Sequence, residues 1–85
     1  MSDVDRIRDT VRESVNRITG ISPSEINDDS NFRDDLGLDS LSALEVMVDV
    51  EYAFKIKVSE ERLQTIQTVR DTIVVVQEYL AAVQS

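Results

Sequence analysis

The sequence predicts an all-α fold, a small four-helix bundle of three main helices and one short one, with a long loop between the first two helices. Three observations lead there. Apolar residues recur at spacings of three and four along most of the chain. Of 85 residues, 41% are hydrophobic and only 5% aromatic, so the core is built from aliphatic side chains on helix faces. The backbone breakers Gly20, Pro23 and Gly37 all fall in one segment, residues 20–39. The chain reads as a single domain, residues 1–85, burying about 60–65% of its unfolded surface, which leaves stability marginal.

The elements follow in order. Val4, Ile7, Val11, Val15 and Ile18 form one amphipathic stripe, and Gly20 stands where a helix ends, which predicts a first helix over 4–19. The loop that follows is rich in Asp, Asn and Ser. Within it, Ser22, Pro23 and Glu25 match a cap, a first helical position and a capping-box acid, and predict one short helical turn. Ile26, Phe32, Leu36 and Leu38 are apolar enough to pin the loop onto a core. The next helix is expected over 40–54. Leu41, Leu44 and Val48 together with Met47, Val50 and Phe54 give it a wide apolar surface, as for a central helix touching several neighbours. Leu44, Val50, Phe54, Leu63 and Ile66 are read as core. Ser59 caps a short helix, "EERLQ", and Thr68 with Asp71 opens the last one, striped by Val69, Ile73, Val76, Leu80 and Val83.

Charge and composition exclude whole classes of function. Nine basic against seventeen acidic residues leave a net charge of −8, which phosphate backbones repel and basic protein surfaces attract. No cysteine means no disulfide and no thiolate metal site, and there is no histidine. The charged opening "MSDVDRIRD" lacks the apolar run of a signal peptide. The longest aliphatic run, Ile73 to Val76, falls far short of the roughly 20 residues that span a bilayer. A cytoplasmic monomer that binds neither nucleic acid nor membrane is expected. No metalloprotease, P-loop or dinucleotide fingerprint is present, and "NDDSNFRDD" fails the calcium-loop rule.

The segment that carries chemistry is "DDLGLDSLSALE", Asp34 to Glu45. It places an Asp-Ser pair between a glycine turn and a helical run. Either Asp39 or Ser40 caps that helix, and in both cases Ser40 lies where unpaired N–H groups and the macrodipole favour an anion such as a phosphate ester. With no base nearby in sequence, Ser40 is not a self-activated nucleophile. The bland alternative is an ordinary N-cap before a helix.

The wider pattern resembles the acyl carrier protein family. The resemblance centres on Asp35-Leu36-Gly37-Leu38-Asp39-Ser40-Leu41, with Phe32 upstream and Glu45 and Phe54 downstream. It continues through "KVSEERLQTIQTVRDTIVVVQEYL" and is weakest in the first helix. It implies a non-catalytic carrier whose serine, here Ser40, bears a covalent phosphopantetheine arm from coenzyme A, ending in a thiol that holds acyl groups as thioesters. Asp39 is similar to the family's acid before the serine, Gly37 to its turn glycine, which leaves room for close approach, and Leu41 adjoins the arm. Acids along the second helix meet basic partner surfaces in that family, which implies a docking role for Asp35, Glu45, Asp49 and Glu51, with Leu41 and Val48 as apolar anchors. The same acids read simply as a solvated face in the absence of the resemblance. Implied partners are a phosphopantetheinyl transferase, acyltransferases, ketosynthases and related synthase enzymes of fatty-acid, polyketide or related biosynthesis. Lys55, Lys57 and Arg62 depart from the acidic or neutral third-helix region of many carriers. A peptidyl or aminoacyl carrier, and a helical interaction module without an arm, are the alternative functions.

Overall fold

The computed structural model describes the backbone of residues 2–84 and the side chains of residues 2–82. Four helices run in the order α1 (Asp3–Thr19), α2 (Ser40–Phe54), α3 (Glu60–Leu63) and α4 (Val69–Gln84), with a 3₁₀ turn at Pro23–Glu25 inside the α1–α2 loop. The all-α bundle expected from the sequence is what forms.

Local chemistry explains the ends. The Ser2 side chain accepts from the Asp5 N–H at 3.2 Å, so α1 starts one residue earlier than its apolar stripe. Gly20 terminates it in the left-handed region, φ 81°. Ser59 caps α3 through the Arg62 N–H at 3.3 Å, and α3 stops one residue short of the expected Gln64. Before α4, Thr68 and Asp71 form the expected capping box: Thr68 Oγ1 accepts from the Asp71 N–H at 3.1 Å, and Asp71 Oδ2 accepts from the Thr68 N–H at 3.2 Å. Thr68 is therefore the cap, and the helix itself starts at Val69. The Ser22 expectation fails in detail. Its side chain makes no capping bond and pairs instead with the Ser24 hydroxyl at 3.0 Å, because a three-residue 3₁₀ turn ends at Ile26 before a full helical turn develops.

The main core lies among α1, α2 and α4. Ile7, Val11 and Val15 of α1 meet Val46 and Val50 of α2 and Val69, Ile73 and Val76 of α4. Ile26, Phe32, Leu36 and Leu38 of the loop join the same cluster, as their apolar character requires. A smaller cluster of Met47, Val58 and Val75, flanked by Leu63, Ile66 and Tyr79, supports α3. Val83 lies outside the described side chains. The breadth of α2 resolves into two unlike arcs. Val46, Met47 and Val50 are buried, whereas Leu44, expected in the core, is 45% exposed and Leu41 and Val48 more so. With α1 and α4 filling one side, the arc of Leu41, Leu44 and Val48 stays exposed among the described residues.

The long loop is held by polar bonds as well as apolar ones. Arg8 Nε and Nη2 each donate to the Asp28 carboxylate at 2.7 Å, a bidentate pair. Arg12 Nε donates to the Ile26 carbonyl at 2.9 Å. On the far side, the Arg70 N–H donates to the Asp28 carbonyl at 2.7 Å and the Phe32 N–H to the Gln67 carbonyl at 2.9 Å, and Asn31 and Thr68 form an antiparallel bridge. The loop is thus tied to α1 along one edge and to the start of α4 along the other.

Two outcomes are expected. Ile26→Ala removes a fully buried anchor of the loop and costs about 2–5 kcal/mol in urea unfolding, a large share of the stability of so small a domain. The Arg8 guanidinium, with smaller help from the charges of Arg70 and Arg12, holds the Asp28 carboxyl below its ordinary value against the opposing effect of its partial burial. A lowered folded pKa adds stability that is complete above the usual carboxylate range near 4 and is lost as pH falls through the folded value. Asp28→Asn should lower the melting temperature at pH 7 and flatten the acid limb of the melting-temperature profile. An unchanged acid limb would show that Asp28 is not one of the groups driving acid unfolding.

Candidate functional site

Asp39 settles what Ser40 is free to do. Asp39 is the N-cap of α2, its Oδ1 accepting from the Ser42 N–H at 2.8 Å, and its carboxyl lies below the usual range chiefly through that bond, then through the Leu41 N–H and the Arg33 guanidinium. Ser40 is therefore the first residue of the helix and not its cap. Among the described residues its exposed hydroxyl makes no hydrogen bond to the backbone and receives one hydrogen bond, from Arg33 Nη2.

A tight turn places these groups. Asn31 Oδ1 accepts from the N–H groups of Arg33, 2.9 Å, and Asp34, 3.0 Å, and the Asn31 carbonyl accepts from the N–H groups of Asp35 and Leu36. Asp35 Oδ2 in turn accepts from the Asn31 N–H at 2.7 Å. Gly37 leaves the turn at φ 69°, and a Cβ there would meet nothing within 4 Å. Its glycine is thus required by backbone conformation, and the space around it is open.

Ser40 stands at the mouth of a cleft of about 620 Å³ between α2, α3 and the loop. Asn31, Arg33, Asp34 and Gln64 give it polar edges, while Leu44, Met47, Leu63 and Ile66 are among its apolar lining. Beside the cleft runs an exposed apolar strip of α2: Leu41 at 66%, Val48 at 53% and Tyr52 at 87% exposure.

The acidic residues differ in what they hold, and Asp35, though exposed, already accepts from the Asn31 N–H. Asp35 and Glu45 are exposed, and Glu45 makes no ion pair or side-chain hydrogen bond among the described residues. Asp49 and Glu51 are taken up inside the chain. Asp49 Oδ2 accepts from the buried Ser14 hydroxyl at 2.5 Å and from Arg17 Nη2, which joins α2 to α1. Glu51 Oε2 accepts from the Val58 N–H at 2.8 Å and anchors the α2–α3 connection. Two of the acids expected at a docking face, Asp49 and Glu51, thus also hold α2 to the rest of the chain. Arg33 was not singled out from the sequence. Its one local signal, a basic residue in an acid-rich turn seven positions before the serine, acquires meaning only once the turn is folded.

Residues 9–73 match the family model described as the phosphopantetheine attachment site. The chain belongs to this family of phosphopantetheine-bearing acyl carrier proteins, and phosphopantetheine is its prosthetic group. Among relatives, it is 38% identical over 68 residues to the meromycolate extension acyl carrier protein of Mycobacterium tuberculosis (strain ATCC 25618 / H37Rv), covering 80% of this chain and 59% of that protein. It is 42% identical to the acyl carrier protein of Rhodococcus erythropolis, with 75% and 70% covered, and 31% identical over the full length of both chains to that of Renibacterium salmoninarum. The chain thus spans about three-fifths of the length of the meromycolate extension relatives it matches. In fold it is similar to the solved acyl carrier protein from Enterococcus faecalis, with a TM-score of 0.75 at 24% identity, covering 93% of this chain and 99% of that one. Among the described residues no helix is long and apolar enough to cross a membrane. The site fits the prosthetic group: an exposed serine hydroxyl without backbone partners, a guanidinium beside it, and a cleft opening from it.

Replacing Asp49 and Glu45 separates the two kinds of acid. Asp49→Ala leaves the buried Ser14 hydroxyl without its acceptor and lowers stability by about 1–3 kcal/mol, whereas Glu45→Ala stays within about 0.5 kcal/mol of the parent in thermal unfolding. Equal losses would place Glu45 in an internal contact as well.

Proposed function

We propose that Ser40 Oγ is the attachment point of the phosphopantetheine arm, and that the chain is a non-catalytic carrier of acyl groups in chain elongation of the fatty-acid type. The observation that carries this reading is the division of labour at the start of α2: Asp39 satisfies the helix end, so the Ser40 hydroxyl stays exposed at the mouth of the cleft. When bound, the arm supplies a terminal thiol that holds acyl groups as thioesters. The apolar lining at Leu44, Met47, Leu63 and Ile66 is suited to shelter an acyl chain lying back from Ser40. Relatives named for meromycolate extension support elongation as the kind of pathway served.

Partners, in this reading, are the phosphopantetheinyl transferase that installs the arm and the synthase enzymes, ketosynthases and acyltransferases among them, that act on its cargo. They dock beside Ser40 with basic surfaces facing Glu45 and Asp35, and with apolar contacts on Leu41 and Val48. Asp49 and Glu51 act indirectly, by holding α2 against α1 and fixing the connection to α3.

Intact mass after incubation with coenzyme A and a phosphopantetheinyl transferase tests the attachment. The parent should gain one arm and Ser40→Ala none; an equal gain on Ser40→Ala would remove the assignment. Glu45→Lys should slow modification several-fold at low salt without changing the melting temperature, and the difference should shrink as salt screens the charge. Identical rates at low salt would show that Glu45 is only solvated.

A further inference from the structure

Arg33 has an unusual assignment among the arginines. Arg6, Arg8, Arg17, Arg62 and Arg70 each pair with a carboxylate, and Arg12 donates to a backbone carbonyl. Arg33 alone gives its side-chain hydrogen bond to a neutral hydroxyl, and it forms no salt bridge among the described residues, in a chain of net charge −8. The hydroxyl is that of Ser40, the group that becomes anionic once the arm is attached. The helix end already holds one anion. Asp39 already places a carboxylate at the positive end of α2 and engages the Ser42 N–H, and Asp34 and Asp35 are exposed on the same turn. A phosphodiester on Ser40 would thus add a negative charge to an acidic neighbourhood, beside a carboxylate that already holds the Ser42 N–H.

We propose that the Arg33 guanidinium is the internal counter-ion of the Ser40 phosphodiester, a positioning residue that fixes the root of the arm at the mouth of the α2–α3 cleft. The inference rests on the attachment at Ser40 proposed above. Phosphorus bonds directly to Oγ, so its free oxygens come within reach of a guanidinium that already donates to that atom. Arginine suits the task through a planar fork of donors that pairs with two phosphate oxygens at once, which the single ammonium of lysine does not. The fork has a firm base: the Arg33 N–H is held by Asn31 Oδ1 at 2.9 Å, and its carbonyl accepts from the Gly37 N–H at 3.2 Å. Arg33 and Ser40 both line the cleft, so an arm clamped there leaves from its rim and not from open solvent.

The test uses the full chain, driven to complete modification with excess transferase and checked by intact mass. The ³¹P resonance of the arm is then compared between the parent, Arg33→Gln and Arg33→Lys, with each urea-unfolded protein as its own reference. The folded parent should show a ³¹P shift away from its unfolded reference that shrinks as sodium chloride is raised. Arg33→Gln should lie near the unfolded value at all salt concentrations and Arg33→Lys between the two. Modification should also lower the melting temperature of Arg33→Gln more than that of the parent, because the added charge has lost its counter-ion. A parent resonance at the unfolded position, or one unmoved by Arg33→Gln or by salt, overturns the clamp alone. A parent that gains no arm, or a Ser40→Ala variant that gains one, overturns the attachment and the clamp together.

Discussion

A loop as long as residues 20–39 can be ordered only if its backbone polar groups find partners and its ends are tied to something rigid. The constraint that achieves this is the Asp28 junction. Its carboxylate takes both arms of the Arg8 fork from α1, while its carbonyl takes the Arg70 N–H from α4. One residue thereby fixes the loop to two helices. Everything downstream depends on it: Phe32, Leu36 and Leu38 can sink into the core only from a loop held at that height, and the Asn31 turn that presents Arg33 and Ser40 hangs between them.

The start of α2 shows how adjacent residues divide incompatible tasks. A helix end needs an acceptor for its N–H groups, and a modification site needs a side chain without internal obligations. Asp39 does the first, and the Ser40 hydroxyl is left without a backbone bond among the described residues, as the proposed attachment requires. The same helix divides its apolar residues. One arc, Val46, Met47 and Val50, builds the core, and the other, Leu41, Leu44 and Val48, is left uncovered beside the cleft. Exposing such a strip is unfavourable in isolation and is consistent with transient contact with partner surfaces.

Much of this was legible in the sequence, and the gaps have physical causes. Apolar spacing and caps located α1, α2 and α4 to within one residue, because helix starts are local events set by side chains at Ser2, Asp39, Thr68 and Asp71. The same spacing could not tell which arc of a broadly apolar helix meets neighbours, so Leu44 was placed in the core while Val46 went unremarked. Nor could it show that Asp49 belongs to Ser14 and Arg17, more than thirty positions away, since charge pairs across helices leave no periodic trace. Arg33 was hidden for a related reason. Its nearness to Ser40 is made by the turn, and nothing in a spacing of seven residues implies it.

The division of the interior into two clusters has a consequence for how firmly each wall of the cleft is held. The larger cluster is shared by three long helices and the loop, whereas α3 is a four-residue helix resting on Met47, Val58 and Val75 with their flanking side chains. What holds α3 is that small seat, the Glu51 and Tyr79 bonds to the connecting segment and the Arg62–Glu78 ion pair to α4, a short list beside the contacts of the whole bundle. Of the two apolar residues on that wall of the cleft, Leu63 rests on the small cluster alone, whereas Ile66 packs against both. The cleft beside Ser40 is thus bounded on one side by the frame of long helices and on the other by an element with few ties of its own.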